Sequence, residues 1–194
     1  MESDGMQSGA RSARSAQLVA AAAGGDATAW RAIVERFEQL LWAVARGHRL
    51  GQSEAADVVQ TTWLRLVENL DRIRDPDHLG AWLATTARHE SLRVIRLSGR
   101  AVPVDGETLD LTAAPDAPVD AHLLVRERDA LIWQAVRQLS PACQQLLRVL
   151  MATPPPSYQE VSAALGLPVG SIGPTRGRCL AKLRSLVDAG IDVG

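Results

Sequence analysis

Twenty consecutive residues near the middle of the chain, AVPVDGETLDLTAAPDAPVD, hold three prolines and five acids but neither lysine nor arginine. Each proline lacks an amide hydrogen and clashes with the carbonyl four residues back, and the mutually repelling carboxylates favour an extended path. Residues 100–120 therefore read as a linker, which divides the 194 residues into two blocks. Each block is large enough for one small domain and no more.

Both blocks carry helical periodicity. In the first, Trp30, Ile33, Val34, Phe37, Leu41 and Val44 recur at the spacing of one buried helix face, after Gly24-Gly25 and an Asp26 suited to capping. Gly47 and Gly51 close that helix, and Ser53 is the expected N-cap of the next. Ala56, Val59, Trp63, Leu66 and Val67 are its expected inner face. Asp75-Pro76 opens a further helix with Leu79, Trp82, Leu83, Thr86 and Leu92, ending near Ser98-Gly99. In the second block Leu131, Val136 and Leu139 precede a break at Ser140-Pro141, and Leu146, Leu147 and Leu150 follow before Pro154-Pro155-Pro156. Phe and Tyr occur once each, which disfavours strands. The expectation is an all-α chain of two small helical domains: a disordered tail over 1–15, a first domain over 16–99, the linker, and a second domain over 121–190.

No apolar run reaches the ~18 residues of a membrane span and no apolar signal core opens the chain, so a cytoplasmic protein without membrane insertion is expected. Cys143 and Cys179 stand far apart without a CxxC partner, and the four histidines lack metal-ligand spacing. Free buried thiols, no metal site and no cofactor are the expectation. No nucleophile–base pair, phosphate-binding loop or carboxylate dyad is present, so no catalytic residues are assigned. The net charge is −1, but its distribution is uneven. Residues 72–100 carry six arginines against three acids, 103–129 seven acids against two arginines, and 141–186 five basic residues against Glu160 alone. Two basic blocks flank an acidic connector, a pattern that suits nucleic acid.

Residues 157–187, SYQEVSAALGLPVGSIGPTRGRCLAKLRSLV, have the form of a helix-turn-helix. Ser157 and Glu160 have capping-box spacing, Gly166 falls where the turn needs a positive φ, and Ile172 anchors the second helix. Ser171, Thr175, Arg176, Arg178, Lys182 and Arg184 remain for DNA, small polar groups reaching base edges and basic ones meeting phosphates. Pro174 is comfortable only in a first turn, which places the helix start near Gly170 or Ser171.

The succession GDATAWRAIVERF, SEAADVVQTTWLRLVENL and HLGAWLATTARHESLRVIR resembles region 2 of the extracytoplasmic-function (group 4) sigma factors, and the helix-turn-helix resembles their region 4. The resemblance covers about residues 17–98 and 121–187. The block Asp57 to Trp63 is its most specific part, similar to the family's helix that docks on the coiled coil of the polymerase β′ clamp.

That resemblance implies a non-enzymatic factor that directs core RNA polymerase to promoters through −10 and −35 recognition. It assigns core binding to Asp57, Val58, Gln60, Thr61 and Leu64. It assigns capture of the melted −10 strand to Trp82, Thr85, Arg88, His89, Arg93 and Arg96, with Trp82 also readable as a core anchor. Ser171, Thr175, Arg176, Arg178 and Lys182 would contact the −35 major groove. The implied partners are the polymerase β′ clamp and β flap, promoter DNA and an anti-sigma factor. His89 and Glu90 stand where the family commonly has asparagine and aspartate, and Ser162 where alanine is common. Two other readings are a stand-alone helix-turn-helix regulator that dimerises and binds duplex without polymerase, and an interaction module with a degenerate fold of this kind.

Overall fold

The computed structural model describes residues 15–73, 75–99 and 132–191. The tail over 1–14, the linker and the start of the second domain lie outside them. The regular structure among the described residues is helical: α1 (residues 15–23), α2 (Ala27–Gly47), α3 (Gln52–Asn69), α4 (Leu79–Leu97), α5 (residues 132–138), α6 (Pro141–Leu150), α7 (Tyr158–Leu165) and α8 (Val169–Ile191). Two short 3-10 turns, Leu70–Arg72 and Pro76–His78, bridge α3 to α4.

The start of α2 follows from Asp26, whose carboxylate accepts from the amides of Thr28 (2.7 Å) and Ala29 (3.2 Å). These two donors would otherwise be orphaned at the helix end. Ile33, Leu41 and Val44 are fully buried along the expected face, while Trp30, Val34 and Phe37 are half-buried at its margin. The first unit closes by packing α2, α3 and α4 on one another.

Helix α3 departs from expectation in two ways. Its N-cap is Gly51 rather than Ser53, because Glu54 turns back and accepts from the Gly51 amide at 3.1 Å. Its inner face is Ala55, Val58, Val59, Thr62 and Leu66, whereas Val67 is 58% exposed and Ala56 only half-buried. Thr62 can face the core because its hydroxyl donates to the Val58 carbonyl at 2.8 Å, leaving no buried polar atom unpaired.

In the second unit Ser140 caps α6 and Ser157 caps α7 through the expected capping box with Glu160. Gly166 has φ +70° and ends α7 in the left-handed conformation that glycine adopts without a Cβ penalty. Helix α8 begins at Val169, so Pro174 lies in its second turn rather than its first. The carbonyl of Gly170 thereby loses its helical donor, which is tolerable because Gly170 is exposed to water.

Cys143 and Cys179 are not free thiols. They form a disulfide with Cα atoms 5.4 Å apart, tying α6 to α8 across 36 residues of chain. Distance in sequence hid this pairing, since the two positions meet only once α7 folds back between them. The buried side chains of both units form one continuous apolar cluster, running from Val44 and Leu83 through Leu146, Val161, Ile172 and Cys179.

Candidate partner and nucleic-acid interfaces

Three surface stripes carry the predicted site residues. On α3, Asp57, Gln60 and Leu64 are exposed, Leu64 by 57%, and Thr61 is half-buried beside them. Val58 does not belong to this group: it is 1% exposed and packs inward, one residue round the helix from Asp57. Val67, expected inside, instead extends the outward stripe below Gln60 and Leu64. An outward surface combining an acid, an amide and two branched aliphatics suits a basic helical partner with an apolar seam.

On α4, Trp82, Thr85, His89, Arg93 and Arg96 follow helical spacing along one side. His89, Arg93 and Arg96 are exposed, while Thr85 and Trp82 are half-buried, Trp82 against the apolar cluster. The departure at position 90 has a structural role. Glu90 is 7% exposed and accepts from Arg65 Nη2 of α3 at 2.7 Å and from Arg93 Nη1 at 3.3 Å. It thus ties α3 to α4 and orients Arg93 on the basic side. The Glu90–Arg93 spacing was legible as an i, i+3 pair, but Arg65, 25 residues upstream, carried no such signal.

Arg88 is drawn elsewhere. It lies under the turn between α7 and α8, where a Cβ on Gly166 would stand 2.8 Å from its Nη2. It is half-buried against the second unit and lies off the stripe that holds His89 and Arg96.

On α8, Ser171, Thr175, Arg178 and Lys182 align at i, i+4, i+7 and i+11 on one face, with Arg178 Nη2 donating to the Thr175 hydroxyl at 3.2 Å. Arg176 is exposed but points to a different side, closer to the line of Ile172 and Cys179, which are 0% and 1% exposed and hold the helix down. The Ser171 hydroxyl donates to the Pro168 carbonyl at 2.7 Å, and that of Ser162 to the Leu167 carbonyl at 2.6 Å. Ser162 therefore stitches the turn, a role its small size alone did not announce.

Between the two units, His48 at the end of α2 faces Gln145 of α6, with Nε2 and Nε2 3.4 Å apart. Burial, and then the Arg88 guanidinium, lower its pKa to about 4. Nearby along the same contact, burial, and then Arg46 and Arg49 of the first unit, hold the Arg148 guanidinium of the second below its usual range. His48 is thus neutral when folded, whereas an unfolded histidine takes up a proton below about 6.5. Stability should therefore fall as pH drops from 6.5 toward 4, by about 2 kcal/mol at pH 5. Comparing urea unfolding of wild type and His48→Gln at pH 7 and pH 5 isolates this effect from the carboxylates. Equal pH dependence in both would show that His48 is not the group responsible.

Comparison with known proteins agrees with this geometry. Residues 33–101 match the family model for Sigma-70 region 2. The chain is 28% identical over 183 residues to the ECF RNA polymerase sigma factor BldN of Streptomyces coelicolor, covering 91% of this chain and 67% of that protein. It is 30% identical over 142 residues to the ECF RNA polymerase sigma factor EcfG of Rhodopseudomonas palustris, covering 72% and 76%. Its fold matches CnrH, solved in complex with the cytosolic domain of CnrY, with a TM-score of 0.57 and 26% identity over 91% of this chain and 98% of that one.

Proposed function

This chain belongs to the extracytoplasmic-function sigma factors of RNA polymerase, and from that premise we propose how its surfaces divide the work of initiation. It binds core polymerase and directs it to promoters, leaving the chemistry of RNA synthesis to the polymerase. The first unit, over 16–99, grips the clamp through Asp57, Gln60, Thr61 and Leu64, with Val67 added and Val58 supporting from beneath. The face of α4 bearing Trp82, Thr85, His89, Arg93 and Arg96 holds the melted −10 strand. Unstacking a base costs a few kcal/mol, offset by pocket contacts and phosphate pairing.

The second unit, over 121–190, reads the −35 duplex with Ser171, Thr175, Arg178 and Lys182, while Arg176 meets the flanking backbone. Each unit alone binds DNA weakly, and tethering both to one enzyme supplies specificity. CnrH was solved with the cytosolic domain of CnrY, which supports a second protein besides polymerase as a partner of this chain. The stand-alone regulator is not favoured.

The observation that carries the reading is the exposed α3 stripe, where Leu64 and Val67 stand more than half exposed beside Asp57 and Gln60. The test mixes purified protein with bacterial core polymerase in gel filtration and compares wild type with Asp57→Ala/Gln60→Ala. The double substitution should weaken assembly by at least about tenfold, as for central interface residues. Wild type that does not co-elute with core would refute the assignment.

A further inference from the structure

Glu90 is a carboxylate with both oxygens engaged and almost no exposure. Its side chain is 9% exposed, whereas Arg65 and Arg93, which donate to its Oε1 at 2.7 Å and its Oε2 at 3.3 Å, keep 47% and 61%. Among the described residues no other carboxylate pairs with either guanidinium. A guanidinium has five N–H donors in a planar fork, and the bond to Glu90 uses one. The carboxylate therefore lies beneath, and two half-exposed forks with further donors stand at the surface. One negative charge under two positive ones leaves the spot cationic.

Stability alone is a poor account of this trio. A buried ion pair is often no more stabilising than packed apolar side chains of the same volume, and α3 and α4 already share the apolar cluster through Leu66 and Leu83. Placement says more. Arg65 stands one turn beyond Thr61 on α3, and Arg93 belongs to the side of α4 that holds His89 and Arg96. The pair thus extends the cationic side of α4 across the seam onto α3. Guanidinium forks match phosphate oxygens in geometry as well as in charge. Held by Glu90, they have already lost rotamer freedom that an unrestrained arginine would give up on binding.

We propose that Arg65 and Arg93, set on the two oxygens of Glu90, form a seat for the sugar–phosphate backbone of single-stranded DNA, with Glu90 as its positioning residue. The proposal rests on the sigma-factor reading, which already brings a melted strand to α4, and it adds Arg65 of α3 to the path of that strand. Phosphates carry no sequence information, so the seat fixes where the strand lies and leaves base selection to other residues. The line continued by His89 and Arg96 favours a backbone whose charges recur along its length over an acidic protein segment.

Fluorescence anisotropy of the full chain with a labelled, mixed-sequence single strand of about 15 nucleotides tests the seat, beside gel filtration with core polymerase. Arg65→Gln should weaken strand binding about three- to tenfold and make the dependence of log affinity on log salt shallower by about 0.7, as for one lost phosphate contact. Arg65→Lys keeps the charge but not the fork, so it should restore the salt dependence and recover affinity only in part. Glu90→Gln should also weaken binding, by about two- to threefold, although it removes a negative charge from the spot. Tighter binding by Glu90→Gln would overturn the positioning role. If that variant loses helical circular dichroism, the two Arg65 variants decide. Strand affinity and salt dependence unchanged in Arg65→Gln would overturn the seat, and a loss of core co-elution in their place would assign Arg65 to the polymerase contact. The expected strand results from a wild type that does not co-elute with core would uphold the seat and refute the polymerase reading.

Discussion

Replacing Cys143 by serine and Cys179 by alanine should destabilise the second unit by about 2–4 kcal/mol, with circular dichroism melts reporting the loss. The bond closes a loop across 36 residues, and the entropy that such a cross-link removes from the unfolded chain corresponds to about 4 kcal/mol before any native strain is subtracted. Alanine is the better replacement at position 179, because that site is 1% exposed and alanine buries no polar group there. Cys143 is half-buried and tolerates serine. A reductant should lower the melting temperature of wild type to that of the double variant and leave the variant unaffected. A wild-type melt insensitive to reductant would show that the bond is absent or thermodynamically idle. Since α6 also contributes Gln145 and Arg148 to the contact with the first unit, reduction loosens the support behind both the recognition helix and the interface.

The parts of this structure that were legible in the sequence are those set by local rules. Asp26 and Ser157 are capping residues because a short side-chain oxygen reaches amides two or three residues on, and nothing distant competes with that. Gly166 was legible for the same reason. The inner face of α3 was misjudged because apolar residues surround the helix and the choice among them is tertiary. Small Ala55 and self-satisfied Thr62 face inward, while Val67 is left outside. Val58, which the resemblance groups with the core-binding residues, is among those turned inward, at 1% exposure. Long-range pairings had no local signature at all: Arg65 with Glu90, Cys143 with Cys179, and Gly47, Gly80 and Gly166 with the side chains they receive from the other unit. A glycine inside a helix reads as a weak former until the side chain that fills the space is known.

Ile172→Ala should cost a further class of stability, about 2–5 kcal/mol, and should remove ordered α8 before anything else. Ile172 is 0% exposed, and its truncation removes an anchor of the helix as well as leaving a cavity. Within the first eleven residues of α8 stand Gly170, Gly173, Pro174 and Gly177. Each interior glycine is about 1 kcal/mol poorer than alanine and an interior proline about 3 kcal/mol poorer, so this segment is not helical on its own merits. Its order rests on Ile172 and Cys179, which face the core one turn pair apart, and on the turn stitched by Ser162. Hydrogen exchange should therefore show protection lost over 169–180 in the Ile172→Ala variant while the amides of α2 and α3 keep theirs. Binding to a −35 duplex should fall by more than tenfold, because only an ordered helix presents Ser171, Thr175, Arg178 and Lys182 on one face. Gly177→Ala provides the opposing control: a Cβ there meets nothing within 4 Å, so it should stabilise by about 0.5–1 kcal/mol. If Ile172→Ala left exchange over 169–180 unchanged, tertiary anchoring would not be what orders this helix, and the cavity alone would account for any loss in stability.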